Sequence, residues 1–283
     1  MLEEFKIACE RNRVKPSQVI REFMQNYSEA KLSPAINQLG NNKNNETPHS
    51  QTFSIAEMYC GPGGIGIAAR NSSITSKNQK LSFTHEWATD YHSDTCRTYA
   101  KNIFGDQNSD KVICTDIREY DIKKLPYADG FLYGFPCNDF SNVGESKGLQ
   151  GEFGPLYRYG VDYINQCNPK FIFAENVSGI SNANSGFAFK KILSELSSAG
   201  EHGYNLTAHL YRFEEYGVPQ ARHRFIVVGF RNDLGLNFKV PAPSKNLVSA
   251  KVALEQPKIP IEAKNQELTK QSHQVVERLK HIK

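Results

Sequence analysis

Seven apolar runs with strand character punctuate the chain between Thr52 and Arg231: FSIAEMY, LSFTHEW, KVICTDI, GFLYGF, KFIFAEN, LTAHLYRF and RFIVVGF. Stretches with helical spacing lie between them, near residues 91–104, 155–167 and 186–199. Strands alternating with helices predict an α/β fold, a mostly parallel sheet with helices on both faces. Only EEYGVPQARH separates the last two runs. That is too short for a helical crossover, so these two are expected to pair antiparallel at one edge.

The ends of the chain read differently. Val19, Ile20, Phe23, Met24 and Tyr27 fall on one helical face, and KPSQ is a plausible start for that helix. Residues 1–36 are therefore expected to be a helical segment, packed on the main domain or serving as a docking or DNA-binding piece. The Asn-rich stretch NQLGNNKNNETPHSQ makes 37–52 a polar linker. The main domain covers 53–240. Residues 241–283 form a basic tail, first proline-rich and then helical in QELTKQSHQVVERLKHIK.

Charge refines this picture. Of the 34 Lys and Arg, eight lie from Val240 onward, against four of the 30 Asp and Glu, which leaves 26 of each in the rest. A neutral body is no strong polyanion binder by itself, so any affinity for nucleic acid needs local patches or a partner. Hydrophobic residues make up 39% of the 283, enough for a sizeable core. No apolar run approaches the ~20 residues of a membrane span, and the N-terminus lacks the apolar stretch of a signal peptide. The six cysteines are scattered without a C-x-x-C, which suits a reducing, cytoplasmic setting rather than a disulfide framework or a zinc site.

Chemistry concentrates at strand ends. IAEMYCGPGGIGIAAR sets Gly61, Gly63 and Gly66 in a G-x-G-x-x-G frame directly after the first strand. Glu86 follows 20 residues after Gly66, at the expected end of the next strand. Glycines let the backbone approach a nucleotide, and such an acid bonds ribose hydroxyls. The same frame serves dinucleotides and S-adenosylmethionine. Trp87 is placed to stack on an adenine or to fill the core. Asp116 is placed to accept from an adenine amino group or to cap a helix. In GFPCNDFS, Pro136 stops the fourth strand and presents Cys137 in a loop at its carboxyl end. A thiolate there is a strong nucleophile. The next strand ends in Glu175 and Asn176, and burial should raise the pKa of that carboxyl so that it can donate a proton. Gln220, Arg222 and Arg224 precede the last strand, where alternating arginines share a face and can orient a carboxylate or phosphate.

Taken in order, these stretches resemble the cytosine-5 DNA methyltransferases. AEMYCGPGGIG is similar to their cofactor loop, HEW to their ribose-and-adenine pair, TDI to their adenine-contacting aspartate, and GFPCNDFS to their nucleophile loop. ENV is similar to their glutamate motif, GPLY to a cofactor-side segment, and YGVPQARHR to Q-x-R-x-R. The likeness runs from about Ser54 to Arg231, and the tail resembles the segment preceding the family's DNA-reading domain. It implies a seven-stranded, mostly parallel Rossmann-like methyltransferase sheet that uses S-adenosyl-L-methionine and no metal. It implies catalytic roles for Cys137, Glu175, Arg222 and Arg224. Cofactor contacts would come from Glu57, Tyr59, Gly61, Gly63, Gly64, Gly66, Glu86, Trp87, Asp116, Ile117, Pro136 and Leu156. Contacts to the base would come from Asn138, Ser141, Asn176, Val177 and Gln220.

In the implied reaction Cys137 attacks C6 of a cytosine flipped out of duplex DNA, and C5 then takes the methyl group. Glu175 serves N3, and Arg224, with Arg222, holds the base edge. The sequence departs from the family at Asn138, where Gln is usual, and in lacking the recognition domain and last two motifs. The expectation is therefore the catalytic subunit of a split restriction–modification enzyme needing a partner chain, or a truncated chain, in a prokaryotic cytosol. A tRNA cytosine-5 methyltransferase, a dinucleotide oxidoreductase and a non-catalytic subunit remain open alternatives.

Overall fold

The computed structural model describes residues 49–76, 79–136, 156–181, 186–244, 247–255 and 272–280. The expected helical segment 1–36, most of the linker, and Cys137, Asn138 and Ser141 lie outside the described residues.

Eight strands form one sheet: β1 (His49–Met58), β2 (Ser73–Ser76), β3 (Gln79–Asp90), β4 (Val112–Cys114), β5 (Gly130–Tyr133), β6 (Phe171–Val177), β7 (Tyr204–Arg212) and β8 (His223–Arg231). The order is β2-β3-β1-β5-β6-β8-β7, with β4 also paired to β3. β2 pairs with the start of β3 and β4 with its last three residues, so the two share one outer edge. The seven expected strands are all present; β2 is an addition. β1 runs parallel to β3 and β5, and β5 parallel to β6. β8 inserts antiparallel between β6 and β7, because the short β7–β8 link, turned by the 3-10 segment Phe213–Tyr216 and Gly217, permits only a hairpin.

Helices α1 (Gly64–Arg70), α2 (Ser93–Phe104), α3 (Tyr157–Cys167) and α4 (Phe187–Ser198) follow the strands, and α5 (Ala250–Glu255) and α6 (His273–Leu279) lie in the tail. Strand alternation sends Ala56, Met58, Phe131, Tyr133 and Ile172 to one face, where Tyr163 and Ile164 of α3 and Ile192 and Leu196 of α4 cover them. Phe53, Ile55, Leu132 and Val228 point the other way, onto Ala69 of α1 and the returning segment with Leu236 and Phe238. Successive strands run to either side of β1, so the carboxyl ends of β1, β3, β5 and β6 flank the crevice where open α/β sheets handle ligands. Among the described residues no helix is long and apolar enough to cross a membrane.

Candidate active site

The glycine turn is built on strained backbone. Tyr59, at the end of β1, takes a left-handed φ of 58°, rare for a residue with a side chain. Its hydroxyl donates to the Leu156 carbonyl at 2.8 Å, tying the turn to the start of α3. Gly63 caps α1 at φ 98°. Gly66 is required by contact: a Cβ there would lie 2.8 Å from Glu57 Oε2 and 2.9 Å from the Tyr99 hydroxyl. Glu57 itself is 1% exposed. Its Oε2 accepts from the Tyr99 hydroxyl at 2.9 Å. Burial, aided by the charge of Asp90 and opposed by bonds from Tyr99 and the Gly66 amide, pushes its carboxyl up to about 8. Glu57 is thus the turn's foundation, not a group facing the crevice. Backbone at Gly61 and Gly64 borders open space.

The structure places the expected ribose-and-adenine pair away from the glycine turn. β3 carries a bulge where Ile55 faces His85 and Ala56 faces Trp87, which leaves Glu86 as the extra residue. Glu86 turns outward to Lys111 at 3.3 Å. Trp87 is 2% exposed, donates through Nε1 to the Pro126 carbonyl at 2.9 Å, and packs edge-on against Tyr163. Neither meets the glycine turn, because the strand continues four residues further. It ends at Asp90, whose Oδ2 accepts from the Gly61 amide at 2.9 Å. Tyr91 follows, 74% exposed. Sequence reasoning did not single out Asp90 and Tyr91; the signal available was TDY directly before the helix-starting HSD.

Asp116 lies just beyond β4 and caps the 3-10 turn Ile117–Glu119. Arg118 grips its carboxylate through the side chain, with Nη2 at 2.6 Å from Oδ2, and through the backbone amide. Those bonds, the side-chain one foremost, hold Asp116 below the usual carboxylate range. Ile117 is buried beneath it. Leu156 is also buried, and Pro136 is half-buried at the end of the β5 loop.

Around β6 the second cluster assembles. Glu175 Oε1 pairs with Arg224 Nε at 2.9 Å. Burial raises the Glu175 pKa, opposed by the charges of Arg224 and Arg222. Its Oε2 lies beside Gly134, where a Cβ would come within 3.4 Å, three residues before Cys137 in the chain. Antiparallel pairing of Val177 with Arg224 sets this contact, so β8 delivers the arginine to the end of β6. Asn176 departs from its expected substrate contact. It is 4% exposed, and its Nδ2 donates to the Phe135 carbonyl at 3.0 Å, bracing the root of the cysteine loop from behind. Val177 is half-buried beside it, and Gln220 and Arg222 are exposed on the approach to β8. The residue between the arginines, His223, meets Glu214 at 2.7 Å through Nε2.

Comparison with known proteins fits this geometry. Residues 53–283 match the family described as C-5 cytosine-specific DNA methylase. Type II methyltransferase M.BbvI of Brevibacillus brevis is 46% identical over 238 residues, covering 81% of this chain and 63% of that protein. Type II methyltransferase M.NgoFVII of Neisseria gonorrhoeae is 33% identical over 194 residues, covering 68% of this chain and 47% of its own. The chain thus spans about half to two thirds of these relatives' lengths. The fold is shared with the Entamoeba histolytica methyltransferase EhMeth, at a TM-score of 0.51 and 21% identity over 71% of this chain and 58% of that one. On the match over residues 53–283, the chain belongs to the C-5 cytosine-specific DNA methylase family.

Proposed function

We propose that this chain carries the cofactor-binding and catalytic side of a DNA cytosine-5 methyltransferase. The observation that carries the reading is the half-buried Glu175–Arg224 pair beside Gly134, at the root of the Cys137 loop and on the same end of the sheet as the glycine turn.

S-adenosyl-L-methionine suits the donor set on the cofactor side. Open backbone at Gly61 and Gly64 admits close approach. Asp90 is the acceptor for the ribose hydroxyls, exposed Tyr91 the platform for the adenine, and Asp116 the acceptor for its amino group. The sulfonium supplies an electrophilic methyl group.

On the substrate side, Cys137 is the nucleophile toward C6 of the cytosine. Glu175, whose pKa burial raises, is the group placed to donate to N3 and so limit negative charge on the ring. Arg224 fixes the Glu175 carboxyl by its ion pair, and Arg222 adds positive charge on the same side. Asn176 and Pro136 set the point from which the cysteine loop departs. The ring is out of reach inside a duplex, so the base must be flipped into the site. Reading of a particular DNA site is assigned to polypeptide beyond these motifs.

The test is methyl transfer from labelled S-adenosyl-L-methionine to mixed-sequence duplex DNA and, in parallel, to tRNA. Label in DNA that is lost with Glu175→Gln supports the reading. Label confined to tRNA overturns the choice of DNA, and full transfer by Glu175→Gln overturns the site.

A further inference from the structure

Cysteines that are scattered in the sequence converge in the fold. Cys96 sits in the first turns of α2 and Cys114 ends β4, directly opposite Asp90 in the β3–β4 ladder. The Cys96 thiol donates to the Asp90 carbonyl at 3.3 Å, and the Cys114 thiol to the next carbonyl, Tyr91, at 3.9 Å. The carbonyls of two successive residues thus hold the two thiols side by side. Cys114 is exposed, whereas Cys96 is buried. Too few donors gather here for a metal ion among the described residues. A neighbouring thiol pair with one exposed member has a different chemistry open to it.

We propose that Cys96 and Cys114 are a vicinal-dithiol modification site, closed to a disulfide by small two-electron thiol oxidants, and that closure weakens the hold of Asp90–Tyr91 on the cofactor. The second half rests on the cofactor reading above; the first does not. Exposed Cys114 reacts first, as its thiolate. Burial foremost, then contact with Cys114, pushes the Cys96 thiol up to about 12, so Cys96 is the slower, resolving sulfur. Its position in contact offsets its small thiolate fraction. In the closing step two S–H bonds break and one S–S bond forms. With diamide as oxidant, the two electrons and two protons pass to its N=N bond, leaving a hydrazine.

The consequence for the site follows from the two carbonyls. The sulfurs must draw in to the roughly 2.05 Å of a disulfide. Both S–H donors are consumed, so the carbonyls of Asp90 and Tyr91 lose them together. These are the residues whose carboxylate holds the Gly61 amide and whose ring is exposed. Two lost bonds of this kind correspond to a fall in affinity of about tenfold.

The protein is treated with diamide, digested without reduction, and searched for a peptide linking Cys96 to Cys114. In parallel, S-adenosyl-L-homocysteine binding is measured by calorimetry before oxidation, after it, and after dithiothreitol. The expected result is the linked peptide, an affinity about tenfold lower, recovery on reduction, and no response in Cys114→Ser. Capture of Cys114 alone by diamide or a small thiol, with no linked peptide, overturns the dithiol site. The linked peptide with unchanged affinity overturns the coupling. Failure of the reduced protein to bind S-adenosyl-L-homocysteine sinks the cofactor reading instead, and the linked peptide still decides the first half.

Discussion

Glu57 is a fully buried carboxyl under the glycine turn, and its ionisation should be visible in stability. Its pKa rises from 4.5 to about 8 on folding, chiefly through burial. Below pH 4.5 the carboxyl is protonated in both states and no penalty applies. Between 4.5 and 8 the unfolded chain releases the proton while the folded chain keeps it, so rising pH favours unfolding. The slope approaches ~1.4 kcal/mol per pH unit. Across the whole window the loss is roughly 4–5 kcal/mol, a large share of the ~5–15 kcal/mol that holds a domain together. Urea unfolding at steps from pH 5 to 9, for the wild type and Glu57→Gln, isolates this group from every other titration. The wild type should lose stability relative to Glu57→Gln up to about pH 8, and the difference should then level off. Parallel curves through pH 5–8 would refute a protonated Glu57 and, with it, the account of the turn's foundation.

Three further outcomes are expected. His85 is buried between Tyr99 and Phe104 with its Nε2 unpartnered, and burial foremost pushes it down to about 4. Folding therefore resists its protonation, stability falls as pH drops from 6.5 toward 4, and His85→Phe should flatten that limb of the urea midpoint profile. Gly66→Ala drives a methyl group into Glu57 and Tyr99 and should cost about 1–3 kcal/mol in the same assay; a change within experimental error would contradict the contact. Asp90→Asn should weaken S-adenosyl-L-homocysteine binding in calorimetry. Glu86→Ala should leave it unchanged, since its exposed bridge to Lys111 is worth no more than about 1 kcal/mol.

Much of the sheet was legible because its signals are local. Seven apolar runs, a ten-residue link that allows only a hairpin, and a proline after GF each follow from chain geometry. The strand SITS was missed because it is short, polar and held only by its antiparallel pairing with β3. Glu86 and Trp87 fall away from the glycine turn for a more instructive reason. A spacing rule of about 20 residues after the glycines assumes an unbroken strand ending at the acid. Here β3 bulges at Glu86 and runs on to Asp90, so the rule lands four residues early. Asn176 could not be told from a substrate contact, since its partner is a backbone carbonyl 41 residues away. The meeting of Cys96 with Cys114 is likewise a product of the β3–β4 ladder and no spacing announces it.

Every part of the mechanism converges on one sulfur. The most direct measurement is covalent trapping on duplex DNA carrying 5-fluorocytosine, whose fluorine cannot leave as the C5 proton does, followed by peptide mapping of the adduct. The account predicts a cofactor-dependent adduct on Cys137 that disappears with Cys137→Ala. An adduct on another residue, or one that survives that substitution, would contradict it.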